Sequence, residues 1–357
     1  MNNINGGFSA LIDKTTELRL IRPVKTFSML LIVLYHSCAL WLPEGWFIVA
    51  PATESLGLCL LASWLNTIHV PTFILCSGYI YGYLKRETSK YTHSKGVIIG
   101  KIHRLIIPYC FVAVCWVIPF YCAFYPDAGF ATVFWRYFIA NSPSQLWFLP
   151  MLFWIFVIFE YMWSKMRSLT ASTKGMIIAS GLLFLSGKLF MAVTGSNLFQ
   201  IASAAQYFFL FYAGYWLRQA YTSRFWSIPV AMIAVVEIIL FGIWWRLNST
   251  PGMLAAVLEF LFQPFVLLSG AVLLVRAVGK FGLSMENGFG GLLQDNSFGI
   301  YLFHQQIIWC VVLLLNEPSV PPILLVTVSF AVSLMVSLAI STLLGRFSLT
   351  RKLIGMK

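Results

Sequence analysis

Charge is what this sequence has least of. Only 10% of its 357 residues are charged, and Asp and Glu together number 12. A soluble domain is about one-quarter charged, so a soluble fold that is 59% hydrophobic could not cover itself with polar surface. A bilayer removes that requirement. The composition therefore predicts an integral membrane protein, and the aromatic content of 17% suits two interfacial belts.

Motifs of soluble enzymes are also missing. The chain has no phosphate-binding glycine loop, no HExxH and no GxSxG. No Cys/His cluster has the spacing of metal ligands. The seven cysteines lie in apolar segments without a CxxC pair, which is typical of small buried residues and not of disulfides or metal sites. A net charge of +12 hints at nucleic acid in a soluble protein, but its placement in loops gives it another meaning, and we expect no nucleic-acid partner.

Ten apolar segments are long enough to cross the ~30 Å of hydrocarbon in a bilayer. The second contains Pro71, where we expect a kink or a break. The first is longer than the apolar region of a signal peptide, so we expect it to remain uncleaved. The stretch 129–145 is too short to span and is expected to lie at the interface. The ten segments are 24–43, 56–84, 105–125, 146–163, 175–194, 198–217, 226–245, 253–275, 292–316 and 320–344.

Lysine and arginine are concentrated on one side of these segments. The N-terminal arm, the even-numbered loops and the C-terminal tail hold 21 of the 24, whereas the opposite side has only Arg136 and Arg246, and Lys188 lies inside the fifth segment. This asymmetry predicts cytoplasmic termini. We expect one all-α polytopic domain over residues 1–357, with a cytoplasmic arm at 1–23 and a tail at 345–357, in the plasma membrane, which is the inner membrane of a bacterium.

Ionisable groups inside spans are costly, so they are candidates for function. Lys25 and His36 are eleven residues apart, which puts both on one helix face ~16 Å apart along the axis. They could line one channel, or Lys25 could reach the lipid phosphates while His36 bonds a neighbouring helix. Both interpretations stay open at this stage. The intramembrane groups are His36, His69, Glu160, Lys188, Glu237, Glu259, Asp295 and His304.

The other candidates each have a structural alternative. His69 precedes Pro71, and a kinked helix with a hydrogen-bonded histidine would explain the pair. Lys101 and Arg104 lie one turn apart at a cytoplasmic mouth, where they could bind an anion or simply follow the charge rule. His304 could be a buried structural residue. Glu160 and Asp295 lie near cytoplasmic ends and could be interfacial, while Glu237 and Glu259 could pair with Lys188 or Arg246 or carry protons.

Six short segments, in this order, resemble the acyltransferase-3 family of membrane acyltransferases. Lys25 and Lys101 stand where many members have Arg, which keeps the charge but loses the planar fork. The segments are Lys25-x10-His36; His69-Val70-Pro71-Thr72-Phe73 with Ser77-Gly78-Tyr79; Lys101-x2-Arg104 with Pro108-Tyr109; Leu146-Trp147-Phe148-Leu149; Gln206-Tyr207-Phe208-Phe209 with Gly214-Tyr215; and Ser297 to His304.

The resemblance implies an O-acyltransferase that takes an acyl group, usually acetyl, from cytosolic acyl-CoA. The acceptor would be a hydroxyl of a cell-surface glycan or a lipid-linked sugar, and no permanently bound cofactor or metal is implied. Lys25, Lys101 and Arg104 would hold the donor phosphates. His36 would be the general base, since imidazole titrates near neutral pH, although an acyl-histidine is also open.

Further substrate-binding residues follow from the same motifs. We expect His69 and Ser77 at the substrate, and Tyr79, Trp147 or His304 as donors to the thioester oxyanion. The main rival is a proton-coupled transporter that uses buried His and Glu, although no inverted repeat of broken helices is visible. A non-catalytic glycan-assembly or flippase component is a second rival. The acceptor, the acyl group and a possible homo-oligomer stay open.

Overall fold

The computed structural model describes residues 14–43, 49–88, 91–141, 144–219, 227–281, 285 and 287–356, with backbone alone for 14–20 and 219. These residues form helices and connecting turns, with no strand among them. Residues 1–13 of the predicted arm lie outside the described ranges, as do the loop cations Lys90 and Arg224 and the C-terminal Lys357. The all-α prediction is confirmed.

Thirteen α-helices follow one another along the described chain. They are α1 (Lys14–Cys38), α2 (Leu56–Arg86), α3 (Ser94–Phe124), α4 (Phe130–Phe138), α5 (Phe148–Lys165), α6 (Arg167–Ala171), α7 (Thr173–Thr194), α8 (Ile201–Gln219), α9 (Val230–Asn248), α10 (Met253–Phe281), α11 (Gly288–Leu315), α12 (Pro322–Gly345) and α13 (Ser348–Leu353). Short 3₁₀ turns lie between some of them, at Ala39–Trp41, Pro126–Ala128, Gln145–Trp147 and Leu198–Gln200.

Nine helices in the described ranges are long and apolar enough to cross a membrane, and the protein is a multi-pass membrane protein. Each lies at one of the ten predicted segments. The tenth segment, 198–217, corresponds to α8, which is not among the nine. Helix α8 carries Ser203, Gln206 and three tyrosines, and it is mostly buried between other helices. A helix that is shielded from lipid by its neighbours does not need an apolar surface all round.

Two wide turns interrupt α3, and each precedes a proline. Residues Ile102–Ile106 and Ala113–Val117 adopt π-helical geometry ahead of Pro108 and Pro119. Proline lacks an N–H and its ring collides with the carbonyl four residues earlier, so a widened turn is a common way to keep such a helix going. Helix α2 has no such widened turn at its proline. It continues from Leu56 to Arg86 through Pro71, so of the predicted kink or break, the break does not occur.

Two glycines let α2 and α8 touch backbone to backbone. A Cβ on Gly78 would lie 1.9 Å from the Phe211 carbonyl oxygen, and one on Gly214 would lie 1.9 Å from that of Leu75. Only glycine permits such close approach of two membrane helices. Further along α2, Arg218 of α8 bonds the Glu87 carboxylate at 2.6 Å. The two helices therefore run in the same direction, as the alternation of ten segments predicts for the second and sixth.

The loops gather at two opposite ends of the bundle. We call the end that carries Lys85, Arg86, Lys101 and Arg104 the basic end. At the far end, the Asn316 side chain bonds the backbone of Ala50 and Ala52, and the Phe199 N–H donates to the Ile139 carbonyl. Helix α4 also lies at the far end, with Phe130, Trp135 and Phe138 exposed on it, and it is too short to span.

Helix α1 occupies the middle of the bundle. It packs against α2, α10, α11 and α12, and every side chain from Tyr35 to Trp41 is buried. By contrast, α7, α9 and α10 bury only 17–22% of their most apolar windows, as expected of helices that face lipid. The polar and basic residues considered below therefore lie on or around a central helix that the outer helices enclose.

Candidate active site

A cavity of about 260 Å³ lies at the basic end and is lined by three cations. Lys25 comes from α1, while Lys101 and Arg104 come from successive turns of α3. Within the described ranges, none of the three makes a hydrogen bond or an ion pair. We call this space the basic cavity. Three cations that form no ion pair with the described residues are suited to bind an anionic ligand.

Aromatic rings form one wall of the basic cavity. The Lys101 Nζ lies 3.6 Å from the centroid of the Phe156 ring and 5.4 Å from that of Tyr91, so cation–π attraction holds the ammonium in place. Burial raises the pKa of the Tyr91 phenol, which keeps it a neutral hydrogen-bond donor at pH 7. Tyr81 and Phe148 complete this wall.

A buried ionic network lies behind the basic cavity. The Glu160 carboxylate, 2% exposed, accepts hydrogen bonds from Tyr81 at 2.6 Å, from Lys85 at 3.0 Å and from Ser94 at 2.7 Å. These groups come from α2, α3 and α5, so one carboxylate joins three helices. The sequence alone left Glu160 as a possible interfacial residue, but the structure shows a buried carboxylate with its hydrogen-bonding capacity largely filled.

The C-terminal tail closes another side of the basic cavity. Helix α13 turns the chain back, so that Ile354 is fully buried and Gly355 lines the cavity. Gly355 has a φ of +69°, and a Cβ there would lie 2.8 Å from Pro108 Cγ and 3.2 Å from the Arg104 carbonyl oxygen. Both the backbone conformation and the close approach require glycine at this position.

A second cavity, of about 490 Å³, lies nearer the far end. His36 of α1 and His69 of α2 line it, together with the aromatic rings of Trp147 and Tyr207. We call this space the polar cavity. Six amide side chains also line it, namely Asn66, Asn141, Gln145, Asn197, Gln200 and Gln206.

Internal hydrogen bonds hold part of this amide lining rigid. Asn197 Nδ2 donates to Gln200 Oε1 at 2.7 Å and to Ser203 Oγ at 2.6 Å, while Gln200 Nε2 donates to the Ala140 carbonyl at 2.9 Å. Gln145 Nε2 donates to the Leu302 carbonyl and to Gln306 Oε1, both at 2.9 Å. The lining is thus fixed by its own polar contacts before any ligand enters.

Three histidines cluster at the base of the polar cavity. The His36 and His304 rings are 5.0 Å apart between centroids, and the Tyr35 ring lies 4.7 Å from that of His69. His304 Nδ1 lies 2.8 Å from the Tyr301 carbonyl oxygen. Because a carbonyl only accepts, Nδ1 carries the proton and Nε2 is left as an acceptor. The cluster therefore offers a hydrogen-bond acceptor at His304 Nε2.

The two cavities share a thin wall. Phe148 and Tyr301 line both of them, with ring centroids 5.9 Å apart in an edge-to-face arrangement. The Tyr301 hydroxyl donates to the Gln145 carbonyl, which fixes the ring. Phe73 packs against the Phe148 ring, and Phe298 packs against the Tyr301 ring.

The structure divides the predicted site residues between the two cavities. Lys25, Ser77, Lys101 and Arg104 line the basic cavity. His36, His69 and Trp147 line the polar cavity. His304 lines neither cavity, but its ring lies behind that of His36. The eleven-residue spacing on α1 accordingly puts Lys25 and His36 at different cavities along one face of the helix.

Tyr79 is placed apart from the other predicted residues. It follows Ser77 by two positions, which is about 200° around a helix, so it points away from the cavity that Ser77 lines. It is 5% exposed and packs among Ile21, Val24 and Leu217. The structure therefore offers no geometry in which Tyr79 donates to a reacting thioester in either cavity.

Two carboxylates of the outer helices, one buried and one half-buried, also lie away from the cavities. Glu237 accepts hydrogen bonds from Thr67 at 3.3 Å and from Ser269, and Glu259 accepts one from the Trp244 indole at 2.7 Å. Within the part of the chain that the structure describes, neither forms an ion pair with Lys188 or Arg246. Asp295 is exposed.

The amide side chains of the polar cavity are the group that the sequence did not reveal. A search for ionisable groups in the spans passes over Asn and Gln. Their position could have revealed some of them, since Asn66, Gln200 and Gln206 lie inside apolar segments, where polar groups need partners. The aromatic wall between the cavities gave no signal, because 31 phenylalanines and 15 tyrosines make single rings uninformative.

Comparison with known proteins gives one match. A family model described as an acyltransferase domain matches residues 23–342, which covers all the helices that line the two cavities. No curated protein and no solved structure matches the chain.

Proposed function

The chain belongs to the acyltransferase-3 family, and from that premise we propose that it carries an acyl group, acetyl in the simplest case, from acyl-CoA to a sugar hydroxyl. The acceptor is a cell-surface glycan or a lipid-linked sugar. One observation carries the proposal: a cavity lined by unpaired cations and a cavity lined by histidine and amides share a single aromatic wall.

The basic cavity suits the donor. Acyl-CoA carries phosphates, and Lys25, Lys101 and Arg104 offer positive charge without a protein counter-ion. At about 260 Å³, the cavity is smaller than the roughly 300–1,000 Å³ that is usual for drug-sized ligands. The flexible arm would pass through it towards the aromatic wall, while the phosphates bind the three cations on the side where Arg104 is exposed.

The polar cavity suits the acceptor and the chemistry. With the thioester carbonyl at the wall, an acceptor hydroxyl beside His36 attacks the carbonyl carbon while His36 takes its proton. The C–S bond then breaks, the acyl group stays on the sugar oxygen, and the His36 proton returns to the thiolate of CoA. His304, whose ring lies against that of His36, orients the base. Trp147 is the remaining candidate donor to the oxyanion.

The charge asymmetry favours a cytoplasmic position for the basic end, where acyl-CoA is made, with the polar cavity towards the other face. We therefore propose that the protein resides in the plasma membrane, the inner membrane of a bacterium, and acylates its acceptor on or near the outer leaflet.

Transfer of labelled acetyl from acetyl-CoA into membrane glycan tests the proposal, with wild type and His36→Ala compared at matched expression. We expect label from the wild type and a loss of about 10²–10⁴-fold in the variant, the range for removal of a general base. Equal labelling by the two proteins would remove His36 from the mechanism. Solute movement without acyl-CoA consumption would favour the transporter alternative.

A further inference from the structure

We propose that the polar cavity selects a neutral sugar residue, which is an uncharged ring rich in hydroxyls, and that the side chains of Asn66, His69 and Gln206 hydrogen-bond to it. The inference rests on the proposed function, because it names the class of acceptor for that site. It excludes uronic acids, sialic acids, free amino sugars and phosphorylated sugars as the residue that receives the acyl group.

The first argument is the absence of charge. No Asp, Glu, Lys or Arg is among the described residues that line the polar cavity. Arg136 comes near its rim, where it donates to the Asn141 carbonyl at 3.3 Å, but its side chain is exposed. A charged sugar that enters this space loses water and meets no opposite charge, which is strongly unfavourable inside a membrane protein.

The second argument is the chemistry of the lining. A sugar hydroxyl both donates and accepts, and an amide offers a carbonyl acceptor and two N–H donors on one small group. Six amides around one cavity therefore match a ring that carries several hydroxyls. The Trp147 and Tyr207 rings, 5.8 Å apart, add apolar surface for the C–H face of such a ring.

The third argument is that some of these polar groups still lack partners. Asn66 is exposed to the cavity in the middle of α2 and has no hydrogen bond to any residue in the described ranges. Gln206 is 9% exposed, and among the described residues its Nε2 meets only the Met191 sulfur, at 3.0 Å, which is a weak acceptor. Both amides therefore have hydrogen-bonding groups that a ligand can bind.

His69 is the strongest of these observations. It is only 2% exposed, it lines the cavity, and neither ring nitrogen has a hydrogen-bond partner among the described residues. A buried polar group without a partner is costly. A hydroxyl in the polar cavity would satisfy it, and His69 lies in the same cluster as His36, so a bound ring would be held next to the base.

The first experiment identifies the labelled sugar. Membranes that contain the protein and its host glycans are incubated with labelled acetyl-CoA, and the product is cleaved to single residues with its ester intact. We expect the label on a neutral hexose, deoxyhexose or N-acetylhexosamine. Label on a uronic acid, a sialic acid, a free amino sugar or a sugar phosphate would overturn the inference and leave the acyltransferase proposal standing.

A parallel measurement separates the two proposals. Acetyl-CoA binding to the purified protein is followed by thermal stabilisation. If acetyl-CoA binds and the label reaches a charged sugar, the inference fails alone. If acetyl-CoA neither binds nor is consumed, the proposed function fails and the inference fails with it.

The second experiment tests His69. We expect His69→Leu to raise the acceptor KM at least about tenfold, the scale set by leaving a polar ligand group unpaired, with the KM for acetyl-CoA unchanged. His69→Gln restores one nitrogen and should recover part of the acceptor affinity. The assignment would be overturned if His69→Leu left the acceptor KM unchanged. It would also be overturned if both variants lost acceptor affinity equally and also changed the KM for acetyl-CoA.

The third experiment changes the charge of the cavity. In Asn66→Lys, we expect the rate with methyl glucuronoside relative to methyl glucoside to rise on the order of tenfold, since a close opposite charge now meets the carboxylate. Asn248→Lys is the matched control, because Asn248 is exposed at the end of α9. The inference is overturned if the wild type already prefers the glucuronoside, or if the two variants shift the ratio equally.

Discussion

The rings of Phe148 and Tyr301 meet edge to face at 5.9 Å between two cavities of opposite character. The cation-lined space and the histidine-lined space are thus separated by one layer of aromatic side chains. Any acyl group that passes from one to the other has to pass these two rings, and so does water. In the proposed mechanism, the wall therefore controls whether the thioester meets an acceptor or water.

Phe148→Ala should uncouple the reaction. Removal of the ring joins the cavities and admits water to the thioester. We therefore expect more CoA to be released per acyl group transferred, and the rate of CoA release to fall less than the rate of glycan acylation. The ratio of free thiol to acylated glycan measures this. Phe265→Ala is the control, since Phe265 is 62% exposed on the outer helix α10, and a similar ratio in both variants would deny the wall this role.

Lys101→Met should weaken acyl-CoA binding by about tenfold or more, because a charge-assisted contact to phosphate contributes roughly 1.5–3 kcal/mol. Titration of the purified protein with acetyl-CoA gives the affinity. Lys95→Met removes the same charge from an exposed position two turns earlier on α3 and should leave the affinity within about twofold. Equal losses would mean that net charge matters and the cavity does not.

Glu160→Gln should destabilise the basic end. The substitution leaves the buried Lys85 ammonium without its counter-charge, and breaking a buried pair costs about 3–5 kcal/mol. The double variant Glu160→Gln with Lys85→Met should recover part of the loss, because it removes the uncompensated charge. Thermal unfolding in detergent compares them with Asp295→Asn, an exposed carboxylate. A double variant less stable than Glu160→Gln would contradict this account.

Gly355→Ala should distort the basic cavity on the side that the C-terminal tail closes. A Cβ at this positive-φ position collides with Pro108 and approaches the Arg104 carbonyl, so the tail would have to move away from the basic cavity. We expect a weaker affinity for acetyl-CoA with a smaller change in acceptor KM. Gly181→Ala on α7, where a Cβ meets nothing within 4 Å, should have no effect on either.

The sequence predicted the helices well because hydrocarbon leaves few options. Backbone groups in lipid must bond within a helix or a closed barrel, so long apolar runs become helices almost irrespective of their detail. Helix α8 also forms at a predicted segment, although it is less apolar than the nine others, and α2 and α7 pack against it. Of the kink or break expected at Pro71, the break does not occur, since α2 continues from Leu56 to Arg86.

The candidate site was predictable only in part. The charge and spacing of Lys25, His36, Lys101 and Arg104 showed in the sequence, since such groups are rare in apolar segments. The sequence could not separate Ser77 from Tyr79, because which side of α2 faces a cavity depends on how α2 packs against α8. It also could not show that six amides from several distant segments meet in one space, since that depends on tertiary packing.

The glycine crossing of α2 and α8 bears on how the protein moves. Ser77 and His69 lie at different cavities but on the same helix α2, just as Lys25 and His36 share α1. With α2 and α8 interlocked at Gly78 and Gly214, rocking of one half of the bundle against the other would carry parts of both cavities together. A transporter opens its two sides in turn by moving its helices. In the proposed reaction the helices need not move in this way, because the flexible arm of the donor would bring the acyl group to the wall between the cavities.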